Sequence, residues 1–164
     1  MEKERLKYTI IRLDHYYDSV NNKTAVYIAI NTFITGGTIT LLTQIQDLLD
    51  KEIWLLIFLA ATIAFGVGSL ILLALASMPY LSPKTEIESL YYFASIAEKS
   101  AQEFFDLSKE QGKKGDKKDL RNQVYVLSKG LKSKFKKLKW ACGLLIIQFV
   151  LWAPLTYILI KITS

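Results

Sequence analysis

Three long apolar runs set the frame of this chain. Ala25 to Ile45, Ile53 to Met78 and Trp140 to Ile160 hold no Asp, Glu, Lys or Arg. Each meets or exceeds the roughly 18 to 20 residues a helix needs to cross about 30 Å of hydrocarbon. Elsewhere the apolar positions become periodic. Leu6, Ile10, Leu13, Tyr17 and Val20 recur by four and three, a seam on one helical face. Pro79 and Pro83 stop the helix of the second run. Ile87, Leu90, Tyr91, Ala94, Ala97, Ala101, Phe104, Phe105 and Ser108 then follow helical spacing, with Thr85 and Glu88 as a capping pair. Gln111 to Asp116, with two glycines, reads as a turn. Asp119 is placed to cap a further helix, with Leu120, Val124, Leu127, Leu131 and Leu138 on one face, that leads into the third run. No strand-like alternation of useful length occurs.

Three such runs leave too little polar sequence to cover them as buried core helices. The pattern therefore predicts an all-α integral membrane protein, with three transmembrane helices and a cytoplasmic helical bundle built from helix extensions and one or two loop helices. The expected divisions are a cytoplasmic N-terminal amphipathic helix at 1–24, spans at 25–46, 53–78 and 139–161, and a cytoplasmic basic helical region at 84–138. The first run is not a cleaved signal peptide, since more than twenty residues including Glu2, Glu4, Asp14 and Asp18 precede it.

Charge sets the expected orientation. The chain of 164 residues is 51% hydrophobic yet carries 21 Lys and Arg and a net charge of +6, and the cations are unevenly placed. Lys3, Arg5, Lys7, Arg12 and Lys23 precede the first run, the link after it is short and acidic, and only Lys161 follows the third. The positive-inside rule puts the N-terminus in the cytoplasm and the C-terminus outside. From Lys109 to Lys139 twelve Lys and Arg face only Glu110, Asp116 and Asp119, a surplus larger than that of the whole chain, so the remainder is net negative.

Catalysis finds no support. His15 is the only histidine, and beside Asp14 on a helix it reads as structural. A single cysteine, Cys142, permits neither an intrachain disulfide nor a thiolate zinc site. No phosphate-binding glycine loop, nucleophile triad, metal ligand set or cofactor motif is evident.

The spans offer more. Thr24, Ile28, Asn31, Thr35, Thr38 and Leu42 fall on one face of the first helix, a polar stripe through the bilayer. Polar residues at that depth face protein or water rather than lipid. They either make interhelical hydrogen bonds or, in symmetric copies, line a narrow pore. Gly36 and Gly37 either bend this helix or serve close packing. Ala60, Ala64 and Gly68 form a small-residue packing ridge on the second span, and Gln148 and Pro154 interrupt the third.

The cations divide similarly. Lys132, Lys134, Lys136, Lys137 and Lys139 stand just inside the third span, where they anchor it and attract anionic lipid. Lys113, Lys114, Lys117, Lys118 and Arg121 are farther away, and topology needs them less. Together with Lys132 and Lys136 they are candidate ligands for an anionic nucleotide or single-stranded DNA oligomer. Tyr125 and Phe135 either stack on bases or are simply packed.

Three stretches carry a resemblance. VNNKTAVYIAINTFI is similar to the opening of the Pycsar-effector membrane domain through Lys23, Thr24, Ala25, Ile30 and Asn31, with Asn21 where that family often has Asp. LSPKTEIESLYYFASIAEKSAQEFF resembles its Pro element followed by Tyr92, Phe93 and Ile96. DLRNQVYVLSKGLKSKFKKLKWACGLL is similar to the helix that enters its final span.

The resemblance implies a bacterial anti-phage effector of the inner membrane. Lacking room for a fused sensing domain, the chain looks most like the stand-alone Hailong-type effector. There, oligomers made by a partner nucleotidyltransferase hold an ion channel shut. The expected function is an oligomeric pore or ion channel, a homotetramer by preference, gated by such a signal at its basic helices and causing depolarisation and abortive infection. A non-conducting adaptor that recruits a soluble partner is the alternative, and a membrane-disrupting oligomer without a defined pore is a third.

Overall fold

The computed structural model of the chain describes residues 1–49, 52–79 and 89–163. Its elements are α1 (Glu2–Gln44), α2 (Gln46–Leu49), α3 (Ile53–Ser77), α4 (Phe93–Ala97), α5 (Ala101–Glu110) and α6 (Lys113–Thr163), and no strand occurs among the described residues. Three of these helices, α1, α3 and α6, are long and apolar enough to cross a membrane. The chain is all-α with three candidate spans, as its apolar runs require.

Local chemistry explains the boundaries. Nothing in α1 breaks the helix: Gly36 and Gly37 each cost about 1 kcal/mol relative to Ala, too little to interrupt 43 residues of otherwise favourable sequence. After α3, Met78 turns to φ −55°, ψ 141°, because a residue before proline is driven out of the helical region. α5 starts where the Ser100 side chain accepts the Glu103 N–H at 3.2 Å.

Two compact units result. The first comprises residues 1–19 and 79–133, the second residues 20–78 and 134–164. In the first unit Leu13 of α1 and Leu120 and Leu131 of α6 are buried. Tyr17 of the α1 seam donates its hydroxyl to Leu127 O at 2.9 Å. Lys3 reaches Asp116 at 2.6 Å, and Arg121 grips Glu2 Oε1 through Nε at 2.8 Å and an Nη at 2.6 Å. In the second unit Ile45, Leu55, Leu59 and Leu155 form an apolar cluster with Leu41, Leu42, Leu48 and Phe58 against it.

Three local expectations change. The helical spacing through Ala94 to Ser108 is divided between α4 and α5. Expected residues Thr85, Ile87 and Glu88 lie outside the described residues, as does Pro83. The turn before α6 is shorter than the glycines suggest, because Lys113 already begins the helix. Asp119 therefore lies inside α6 and cannot cap it. Its carboxylate instead accepts the Leu90 N–H at 2.8 Å, supplying a partner to a backbone donor outside any helix.

Candidate functional site

The second unit is built round a polar core. Along α1, Thr24, Asn31, Thr35 and Thr38 are all buried, while Ile28 and Leu42 are half-buried. Thr24 and Thr38 donate their hydroxyls to Val20 O and Ile34 O, one turn back on the same helix, so their polarity is satisfied locally. Thr35 behaves differently. It donates to Asn31 Oδ1 at 2.8 Å and accepts from Gln148 Nε2 of α6 at 2.9 Å.

This amide–hydroxyl–amide chain leaves one donor and one acceptor over. Both side chains are fully enclosed, and among the described residues Asn31 Nδ2 and Gln148 Oε1 have no hydrogen-bond partner. Reversing the amides would exchange the orphans rather than remove them, since three groups in a line always leave two ends. Gly66 of α3 closes the third side. A Cβ there would collide with Thr35 Oγ1 and Gln148 Nε2 and stand 3.0 Å from Gln148 Cδ, so only glycine admits the two side chains. Farther along, Ser69 donates to Ala141 O at 2.9 Å and joins α3 to α6.

The inward face of α3 is Leu55, Leu59, Thr62, Gly66, Ser69, Leu73 and Ala76. Ala60 and Ala64 of the expected ridge are exposed, and Gly68 is half-buried with Leu144 Cδ1 in ordinary contact distance of a built Cβ. Gly66 was not singled out by sequence, though its place in the Leu55–Leu59–Thr62–Gly66–Ser69 spacing carries the signal. A groove of about 420 Å³ lies on α1 and α6, lined by Phe33, Ile34, Gly37, Phe149 and Trp152.

Lys134 departs most from expectation. It is buried, and its ammonium donates to Ala76 O at 2.8 Å, Asn21 Oδ1 at 3.2 Å and, more loosely, Ser77 O at 3.4 Å. Lys137 adds a bond to Leu75 O at 3.0 Å. Both cations therefore sit on the otherwise unsatisfied carbonyls at the negative end of α3. Burial pushes the Lys134 ammonium below the usual lysine range, with Lys137 adding to the effect.

In the first unit, Lys113, Lys114, Lys118, Arg121 and Lys132 are exposed on α6, whereas Lys117 is half-buried. The hydrogen bond from Arg121 holds the Glu2 carboxyl below its ordinary value, with smaller help from Lys117 and Arg5. Lys136, in the second unit, is exposed. Tyr125 is 58% exposed, with the Lys129 ammonium 4.6 Å from its ring centroid, so it is available for stacking on one side; Phe135 is 39% exposed. Among the described residues no group of His, Cys, Asp and Glu is arranged to hold a metal ion.

A family model described as the Pycsar effector protein domain matches residues 5–160. No curated protein and no solved structure matches the chain.

Proposed function

The chain belongs to the Pycsar effector protein domain family, and from that premise we propose that it forms an oligomeric ion channel. As a family member it is an anti-phage membrane effector. In the proposed reading it resides in the bacterial inner membrane with its N-terminus cytoplasmic and its C-terminus outside. A nucleotide or DNA oligomer, produced by a partner nucleotidyltransferase, is sensed at the basic residues of α6, and opening depolarises the infected cell.

The observation that supports this reading is the Asn31–Thr35–Gln148 chain. Ionisable or amide side chains at bilayer depth are costly unless a pathway or a packing need retains them. Here the packing need is incompletely met, because two amide atoms lack partners. We read the present arrangement as the closed form, with the polar face Thr24, Ile28, Asn31, Thr35, Thr38 and Leu42 sealed against Gly66 and Gln148. Opening parts α1 from those neighbours and wets the stripe. Moving from mostly closed to mostly open requires about 5 kcal/mol of differential ligand affinity, which several shared phosphate contacts supply.

The test is current through a planar bilayer holding the purified protein, before and after single-stranded DNA is added to the cytoplasmic face. Discrete openings altered by DNA, and abolished by Asn31→Leu with Thr35→Val, support the channel. Silence under both conditions favours a non-conducting adaptor.

A further inference from the structure

Asn21, which holds the Lys134 ammonium, also belongs to the polar face of α1. It precedes Thr24 by three residues and so continues the face of Thr24, Asn31, Thr35 and Thr38 by one step. The rise from Asn21 to Leu42 is about 32 Å at 1.5 Å per residue, close to the roughly 30 Å of a hydrocarbon core. Asn21 itself is exposed, whereas Thr24 is buried. Lys134 is therefore fastened to the outermost step of the face, where enclosed polar groups give way to accessible ones.

The buried polar side chains described in the second unit are threonines, a serine, an asparagine, a glutamine and Lys134. The formal charge among them is thus a single positive one. Little offsets it. Ala76 O, Asn21 Oδ1 and Ser77 O are neutral acceptors, and among the described residues no carboxylate pairs with Lys134. The end of α3 supplies the equivalent of about half a negative charge, and Lys137, on Leu75 O, brings a second cation beside the first. Capping alone does not call for this arrangement. Cations serve helix C-termini from exposed positions, while enclosing an ammonium without a counter-ion is costly.

Resting on the reading above, in which the α1 face becomes the conducting path, we propose that Lys134 sets the ion selectivity of that path and that anions carry the current. The proposed topology puts Lys134 at the cytoplasmic mouth. In an oligomer its copies form a ring of positive charge there, the device by which lysine-lined pores favour anions. A charge enclosed by protein acts on a passing ion with little screening, whereas exposed charges are weakened by salt within about 10 Å. Lys136 and Lys139 are exposed and contribute little for that reason. The same holds at the opposite end of α1, where Asp47 is exposed and Glu52 half-buried in the link to α3, both outside the buried polar set.

The experiment is the reversal potential of current through a planar bilayer holding the full chain, across a tenfold gradient of potassium chloride. It is recorded in whichever condition, with or without DNA, the protein conducts. The wild-type protein is expected to pass chloride at least about fivefold more readily than potassium. Lys134→Gln should bring that ratio below about two, and Lys134→Arg should keep it, since the charge is retained. Lys137→Gln should lower it by less, and Lys136→Gln should leave it unchanged. A lysine that only caps α3 would alter stability or open time but not the reversal potential. Should Lys134→Gln fail to assemble, the wild-type ratio and Lys137→Gln still decide.

A potassium preference, no preference at all, or a ratio that Lys134→Gln leaves intact would overturn the assignment and leave the channel standing. A potassium preference abolished by Asp47→Asn with Glu52→Gln would move selectivity to the opposite mouth. Absence of current in every condition would remove the channel, and the assignment with it.

Discussion

Gln148 of α6 donates its side-chain amide to the Thr35 hydroxyl of α1 across 113 residues of sequence, and Thr35 passes its own proton to Asn31. This is a side-chain hydrogen bond between two candidate spans, and it closes only because Gly66 of α3 leaves space for it. Three helices therefore meet at a polar point rather than an apolar one. The consequences can be measured.

Gly66→Ala is expected to be the most disruptive single-methyl change in the second unit. The added Cβ meets Thr35 Oγ1 and Gln148 Nε2, and overpacking of this kind costs about 1–3 kcal/mol. Thermal unfolding in detergent should show the loss, and Gly36→Ala, whose Cβ meets nothing within 4 Å, should not. If the closed-form reading holds, Gly66→Ala also leaks without phage signal in a cell-viability assay.

Asn31→Leu and Gln148→Leu should not add. Asn31→Leu alone leaves the Thr35 hydroxyl held in place by Gln148 but without its acceptor, while the pair frees that hydroxyl to turn onto a carbonyl of its own helix. Interhelical hydrogen bonds of this kind contribute up to about 2 kcal/mol. A double-mutant cycle on unfolding is expected to show coupling of at least about 0.5 kcal/mol, and strict additivity would mean that the two amides do not communicate through Thr35.

Lys134→Met should destabilise the second unit by about 1–3 kcal/mol, because it leaves Ala76 O and Asn21 Oδ1 without their charged donor. Lys134→Arg should restore part of that. Lys136→Met, on an exposed neighbour, is expected to change unfolding by less than about 0.5 kcal/mol.

The ionic ties at the start of α1 carry a pH dependence of known sign. Lys3 holds the Asp116 carboxyl below its ordinary value of 3.8, and Arg121 holds Glu2 below 4.5. A carboxylate with a lowered pKa contributes stability that is complete above its ordinary value and is lost as pH falls through the lowered one. The contacts should therefore persist at neutral pH and release only in strong acid. Carboxyl titration by NMR should place both midpoints low, and Lys3→Met should raise that of Asp116 alone, with Tyr91 and Gln111 still favouring its ionised form.

Much of this was open to reading from sequence, and for a physical reason. A charge-free run of twenty residues has one stable solution in a bilayer, since every backbone polar group must be satisfied within the segment. The three spans and the all-α class follow from that. The seam Leu6–Leu13–Val20 and the faces of α6 follow from helical period alone, and so does the polar stripe containing Asn31 and Thr35. The period also hid what it could not rank. It marked Ala60 and Ala64 as a packing ridge, but those residues are exposed, because which face of an apolar helix turns inward is decided by its neighbours. Gly66, the seat for Thr35 and Gln148, has no periodic signature stronger than theirs.

Charge behaved likewise. A run of lysines is visible to any reader of the sequence, and so is its expected role at a span end. Nothing in the run distinguishes Lys134 from Lys132 or Lys136. Only the tertiary structure turns Lys134 onto the carbonyls of α3 and Arg121 onto Glu2, because those partners lie 58 and 119 residues away. Local patterns determine which elements form, since they depend on neighbours three and four residues off. Partners distant in sequence are assigned by packing, and packing decides which polar groups are buried together, which cation is a cap, and which remain exposed.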